Sequence, residues 1–212
     1  MDTNDLINAL ATDARPSRRS LPAIWWGAAA CAIAIAAVVF FVIAGPRPDF
    51  AAAAETARFQ FKFVVSFALA ISAFGAARAL SRPGEGWRDT IAWLAVAPLL
   101  LVLAAVAELR ALPSDVWSAN AVGANASACL AYIFLIGLGP LALFIAALRQ
   151  GAPTRPGFAG AVAGLLAGGI AAAIYAAHCT DDSPLFVAVW YTAAVLGLAL
   201  VGSIAGRFLV RW

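Results

Sequence analysis

Apolar residues in this chain are gathered into six long runs, separated by shorter polar or charged segments. The runs occupy residues 22–44, 61–80, 90–107, 128–148, 156–177 and 185–206. Because a helix needs about 20 mostly apolar residues to cross the hydrocarbon core of a bilayer, each run is predicted to be a transmembrane helix. The pattern therefore predicts an all-α polytopic membrane protein with six spans. The second run is the weakest, since Lys62 and Arg78 lie near its ends, where they can snorkel towards water.

The composition excludes the ordinary soluble folds. Hydrophobic residues make up 64% of the chain and charged residues 12%, whereas soluble domains have about 45–50% and about 25%. The net charge of +3 is scattered along the chain and indicates no surface for direct binding of nucleic acid. The lipid bilayer is therefore the first predicted partner.

The distribution of basic residues between the loops predicts the orientation of the spans. Six spans place both termini on one side of the membrane, and that side carries ten of the fourteen Lys and Arg residues. Loops rich in Lys and Arg tend to remain in the cytoplasm. Both termini are therefore predicted to be cytoplasmic.

Residues 1–20 precede the first span and are predicted to be a cytoplasmic segment, with residues 21–212 forming the transmembrane domain. In this segment Leu6, Ile7 and Leu10 fall on one face of a short helix, and Asp5 and Asp13 make that helix acidic. Such a short helix is marginal alone in water. The pattern suits a ligand for a groove on a basic cytoplasmic protein, and the alternative is a frayed tail or an anchor at the membrane surface.

Glycines recur at four-residue spacing in the last two spans. Gly160, Gly164 and Gly168 share one face of span 5, and Gly202 and Gly206 do the same in span 6. Small residues at this spacing let membrane helices approach closely. The stripes predict close packing within one chain, with a homodimer face as the alternative.

The cysteines offer the clearest candidate chemistry. Cys31 lies inside span 1 and is predicted to be a small buried hydrophobe. With both termini cytoplasmic, Cys129 lies at the outer end of span 4 and Cys179 just beyond the outer end of span 5. The two could form a disulfide or bind a soft metal ion, and the alternative is two unrelated or merely structural cysteines. The polar neighbours that could assist them are His178, Asp181 and Asp182.

No catalytic or transport signature accompanies the spans. The interiors of five of the six runs contain no ionisable residue, whereas transporters place such residues at mid-membrane. The chain has no HExxH, GxSxG or P-loop motif. We therefore expect neither an enzyme nor a cofactor. A membrane thiol oxidoreductase and a small-solute transporter remain the alternatives.

Four segments of the chain carry a resemblance to a known family. They are LINALATDARP (6–16), GAPTRPGFAGAVAGLLAGG (151–169), AAHCTDDSPLFVAVWY (176–191) and GRFLVRW (206–212). Through these segments the whole chain resembles the NrsF family of proteobacterial six-span anti-sigma factors, the negative regulators of sigma F.

The resemblance implies a function in transcription regulation at the bacterial inner membrane. The N-terminal segment would bind an extracytoplasmic-function sigma factor, with Leu6, Ile7 and Leu10 in contact and Asp5 and Asp13 as electrostatic helpers. A stress outside the cytoplasm would release the sigma factor. The matching positions for a cysteine sensor are Cys129 and Cys179.

Overall fold

The computed structural model of the protein describes residues 2–13, 20–83 and 87–210, without the side chains of residues 10–13 and 87. Every regular element in these residues is a helix. Six helical segments are long and apolar enough to cross a membrane, which confirms the predicted all-α, six-span architecture. They are span 1 (Leu21–Ile43), span 2 (Ala57–Leu80), span 3 (Arg88–Ala111), span 4 (Ala126–Leu148), span 5 (Pro156–Tyr175) and span 6 (Pro184–Leu209).

The remaining helices are short. The N-terminal helix is Thr3–Asp13, and Phe50–Ala54 follows span 1. The segments Ser114–Val116 and Trp117–Val122 precede span 4. For orientation within the molecule, we call the end of the bundle at which span 1 begins the tail end, and the opposite end, which contains Cys179, the cysteine end.

Two spans depart from regular α-helix. Span 3 narrows to a 3₁₀ turn at Trp93–Ala95, just before Pro98, whose nitrogen cannot donate to the Leu94 carbonyl. Span 6 contains a π-helical turn at Val187–Tyr191. Such turns are frequent at functional sites, and this one lies at the cysteine end.

Span 5 is the central helix and the most deeply buried of the six. A Cβ atom on Gly160 would lie 2.1 Å from the carbonyl oxygen of Gly202, and one on Gly164 would lie 2.3 Å from the carbonyl oxygen of Leu198. The backbones of spans 5 and 6 therefore touch along the glycine stripes. The face considered above for a homodimer is covered by span 6 of the same chain.

Span 1 packs mainly on span 4. The buried Trp25 ring stacks on Phe144 with a centroid distance of 6.1 Å, and its Nε1 donates to Ser81 Oγ at 3.2 Å. The Ser81 carbonyl in turn accepts from the Ala152 amide at 2.9 Å. These contacts join span 1, span 4 and both tail-end loops of the described residues.

Because only one face of span 1 is packed, Cys31 lies on its free face and is exposed. The prediction that Cys31 is buried was therefore wrong. An apolar side chain that is buried in lipid and one that is buried in protein look the same in a sequence.

Candidate functional site

The segment 176–183 joins spans 5 and 6 at the cysteine end, and we call it the cysteine loop. Its first residues are tied to the end of span 1. The Arg47 amide donates to the Ala177 carbonyl at 3.0 Å, and His178 Nδ1 lies 2.8 Å from the Gly45 carbonyl oxygen. The only histidine thus contacts backbone from the loop after span 1.

A buried lysine holds the centre of the cysteine loop. The side chain of Lys62 is 0% exposed, so the expectation that it can snorkel to water was wrong. Its Nζ donates to the Cys179 carbonyl at 2.8 Å and pairs with Asp182 Oδ1 at 2.5 Å. Because a buried ammonium is costly without partners, this pairing is what allows Lys62 to remain in the interior.

Arg47 adds a second cation to the same two acceptors. Its Nη1 lies 3.1 Å from Asp182 Oδ2 and donates to the Cys179 carbonyl at 3.3 Å. The other edge of the guanidinium forms two bonds to Asp49, of 2.6 and 2.7 Å. The Asp49 carboxylate raises the pKa of Arg47, and the guanidinium lowers the pKa of Asp49.

Asp181 fixes the cysteine loop to the start of span 4. Its carboxylate accepts from the backbone amides of Ala124 at 3.2 Å and Asn125 at 2.9 Å, and from the Asn125 side-chain amide at 2.9 Å. Gly123 makes this approach possible, since its φ is +60°. A Cβ there would lie 2.5 Å from the Phe186 ring and 2.9 Å from the Asp181 carboxyl carbon.

Glu108 ties span 3 to the beginning of span 6. The side chain is buried, and its Oε2 accepts from Ser183 Oγ at 2.8 Å and from the Leu185 amide at 3.0 Å. Arg58 Nη2 lies 3.2 Å from the other oxygen. A carboxylate at a helix N-terminus satisfies free amides and interacts favourably with the helix dipole. Glu108 therefore caps span 6 from a neighbouring helix.

The side chains of Cys129 and Cys179 are buried in the same apolar core, and both thiols are free. Two phenol rings complete the cluster, Tyr175 and Tyr191, whose centroids are 6.0 Å apart. Both phenol hydroxyls are buried, and within the described residues neither has a hydrogen-bond partner. We call these four residues the thiol cluster.

Burial raises the pKa of the Cys179 thiol, and the Lys62 ammonium opposes this in part. The thiol is therefore protonated and a weak nucleophile at neutral pH. The arrangement buries two free cysteines at a loop that is held by ionic contacts.

The predicted helpers of the cysteines are engaged elsewhere. His178 contacts the Gly45 carbonyl, Asp181 accepts from the Ala124 and Asn125 amides, and Asp182 pairs with two cations. In the part of the chain that the structure describes, no three His, Cys, Asp or Glu side chains form a group able to hold a metal ion.

The predicted partner-binding residues lie on the N-terminal helix. Asp5 is exposed, and Leu6 and Ile7 are 47% and 56% exposed. The side chains of Leu10 and Asp13 lie outside the described residues. An apolar face on this helix is thus left uncovered at Leu6 and Ile7.

Sequence reasoning missed Lys62, Glu108 and the two tyrosines of the thiol cluster. Lys62 and Glu108 lie close to the ends of predicted spans, where a charge ordinarily marks the boundary with water. A usable signal was present, since Asp181, Asp182, Arg47 and the two missed charges all fall on the same predicted side. Tyr175 and Tyr191 gave no sequence signal.

Comparison with known proteins matches the chain over nearly its whole length. The family described as "Negative regulator of sigma F" (NrsF) matches residues 10–212. The Anti-sigma-F factor NrsF of Caulobacter vibrioides is 36% identical over 222 aligned residues, covering all of both chains. The Probable anti-sigma-F factor NrsF of Azospira oryzae is 32% identical over 219 aligned residues, also covering all of both chains. No solved structure matches. The chain therefore belongs to the NrsF family.

Proposed function

We propose that this protein is a membrane-bound anti-sigma factor. It holds an extracytoplasmic-function sigma factor through its N-terminal segment and releases it on a stress sensed by Cys129 and Cys179. The observation that carries the proposal is the full-length similarity to two proteins named as anti-sigma-F factors. The function requires no catalysis and no cofactor.

The N-terminal helix supports the binding step. Leu6 and Ile7 present apolar side chains that the described part of the chain does not bury, and Asp5 lies beside them. An amphipathic helix of this kind fits a hydrophobic groove with a basic rim. We place Leu10 and Asp13 on the same interface.

The proposed location is the bacterial inner membrane, with both termini in the cytoplasm. Six spans and the excess of basic residues on the tail side support this orientation. A sigma factor bound to residues 1–20 is then held at the membrane and away from RNA polymerase. The glycine stripe of span 5 is covered by span 6 of the same chain and so offers no free face to a second copy.

The thiol cluster supports the sensing step. Joining Cys129 and Cys179 as a disulfide removes two electrons and two protons and needs an external two-electron oxidant. Capture of a soft metal ion would instead release the two thiol protons. Either event draws the sulfurs together and displaces the cysteine loop.

Contacts in the structure offer a route from the cysteine loop to the N-terminal segment. The loop bonds to Gly45 and Arg47, at the end of span 1, and span 1 runs to Trp25 at the tail end. In the chain, span 1 follows the proposed sigma-binding segment. A displaced cysteine loop can therefore act on the position of that segment through one helix.

Co-purification tests the binding step. The full-length protein is extracted from its native host in mild detergent beside the variant Leu6→Asp/Ile7→Asp. A matched control, Asn8→Asp/Ala9→Asp, adds the same charge to another face of the helix. A sigma factor that accompanies the native chain and the control, but not the Leu6/Ile7 variant, supports the proposal. No sigma factor with any of the three would contradict it.

A reporter of sigma-dependent transcription tests the sensing step. Cys129→Ser and Cys179→Ser should each abolish the response to a thiol oxidant or to cadmium, and the double variant should match the single ones. Cys31→Ser is the control and should respond normally. Unequal or additive effects of the two single variants would show that the cysteines do not act as a pair.

A further inference from the structure

An apolar groove runs between spans 1 and 2, with span 5 as its floor. Its volume is about 550 Å³, and all its lining residues are apolar. Trp26 and Ile33 line one wall, Phe67 and Phe74 the other, and Ile170 the floor. Apart from Ala177, its lining residues all belong to helices that are long and apolar enough to cross a membrane.

The groove exists because spans 1 and 2 pack on different helices. Span 1 packs on span 4, whereas span 2 packs on span 5. The described residues of spans 1 and 2 approach each other at the tail end, where the rings of Trp26 and Phe74 lie 4.9 Å apart. The rest of the gap is open at the side, and in a membrane that side would face the hydrocarbon core.

A cation stands at the tail end of the groove. The guanidinium carbon of Arg78 lies 5.8 Å from the Trp26 ring centroid and 5.5 Å from the Phe74 ring centroid. Stacking on two rings holds a guanidinium in place without neutralising it. Within the described residues, Arg78 takes part in no ion pair.

We propose that this groove binds one anionic glycerophospholipid, with an acyl chain along the gap and the phosphate on Arg78. From Trp26 to Phe41 the wall of span 1 is about 22 Å long at 1.5 Å per residue. One leaflet of the hydrocarbon core is about 15 Å thick, so an acyl chain fits within that length. The apolar lining selects the chain, and a basic residue between helix ends selects an anionic headgroup.

Native mass spectrometry tests the proposal on the full-length protein in detergent. Phosphatidylglycerol and phosphatidylcholine with identical acyl chains are added separately, and the fraction of protein that retains one lipid is measured. Arg78→Gln removes the charge, and Ala37→Phe fills the groove from the wall of span 1. Arg110→Gln and Ala107→Phe make the same changes at exposed positions on span 3.

The native chain should retain one phosphatidylglycerol in preference to phosphatidylcholine. Arg78→Gln should weaken that retention about fivefold, as expected for loss of one basic residue at an anionic headgroup. Arg78→Lys should largely restore it, which separates loss of charge from loss of folding. Ala37→Phe should remove retention of both lipids, and the two span 3 variants should behave as the native chain.

Two results would overturn the proposal. Equal retention of phosphatidylglycerol by Arg78→Gln and Arg110→Gln would mean that lipids bind only as a non-specific layer. A native chain that is dimeric, and becomes monomeric with Ala37→Phe, would assign the groove to a second copy of the chain instead of a lipid.

Discussion

Replacing Lys62 with Met should release the cysteine loop while leaving the bundle folded. The substitution keeps the length of the side chain but removes the ammonium that donates to the Cys179 carbonyl and pairs with Asp182. A hydrogen bond to a charged group contributes about 1.5–3 kcal/mol. Arg47 remains on both acceptors, and Asp182 is 22% exposed, so the penalty for an unpaired buried charge is not added in full. We therefore expect the loop to be destabilised by about 2 kcal/mol.

The rate at which Cys179 reacts with a maleimide measures this opening. The protein is purified as Cys31→Ser, so that the exposed thiol does not compete, and the labelled residue is identified by peptide mass. In the opened loop the thiol is in water, so its intrinsic reactivity is the same in both variants, and the rate follows the opening equilibrium. A loss of 2 kcal/mol corresponds to labelling about 30-fold faster.

Two control variants separate loss of the Lys62 charge from a general effect of the substitution. Lys62→Arg keeps a cation and several donors and should label more slowly than Lys62→Met. Arg110→Met removes an exposed cation at the same end and should have no effect. If Lys62→Met labels at the native rate while its thermal midpoint is unchanged, Lys62 does not hold the cysteine loop and the reasoning is refuted.

Three further predictions concern stability in detergent, measured as the thermal midpoint. Gly160→Ala should lower the midpoint by several degrees, because the new methyl group would lie 2.1 Å from a backbone oxygen, whereas Gly27→Ala, with nothing within 4 Å, should not. Gly123→Ala should lower the midpoint more than Gly45→Ala does. Both glycines have positive φ, but only at Gly123 would the new methyl group also clash with its neighbours. Equal losses in the two variants would show that the clash has no effect on stability. Because burial raises the pKa of Cys179, its contribution to stability is fully present below the ordinary thiol pKa of about 8.5 and is lost as the pH rises beyond it. Cys179→Ser should therefore flatten the alkaline limb of the stability profile, and an unchanged limb would contradict the assignment.

The number and type of the long helices could be predicted because hydrophobic length is a local property. Each run needs about 20 residues irrespective of what surrounds it. The ends of the spans were less predictable. The charge of Glu108 led to a predicted end of the third span at residue 107, whereas the helix continues to Ala111. The charge is tolerated there because Ser183 and the Leu185 amide satisfy it.

The candidate site could be predicted only in part, because most of its contacts join segments that are distant in the sequence. The sequence places Cys129 and Cys179 at one end of the bundle, but their surroundings depend on how four separate segments meet. The position of Lys62 in the sequence predicts that its side chain extends towards water, and only the presence of Asp182 and the Cys179 carbonyl explains its burial. Contacts between distant segments are absent from a single sequence, so ion pairs of this kind cannot be read from it.

The central position of span 5 has a consequence for how the protein is made. Span 1 finds its main partner in span 4, and span 2 packs on span 5, so the bundle cannot close until the fifth helix has entered the membrane. About 140 residues separate the N-terminal helix from span 5, a delay of about 7–28 s at ordinary rates of synthesis. During that interval the N-terminal helix is already free to meet a partner, while the thiol cluster, which needs Tyr175 and Cys179, does not yet exist. In each new molecule, the proposed interface on residues 1–20 is therefore made before the device proposed to control it.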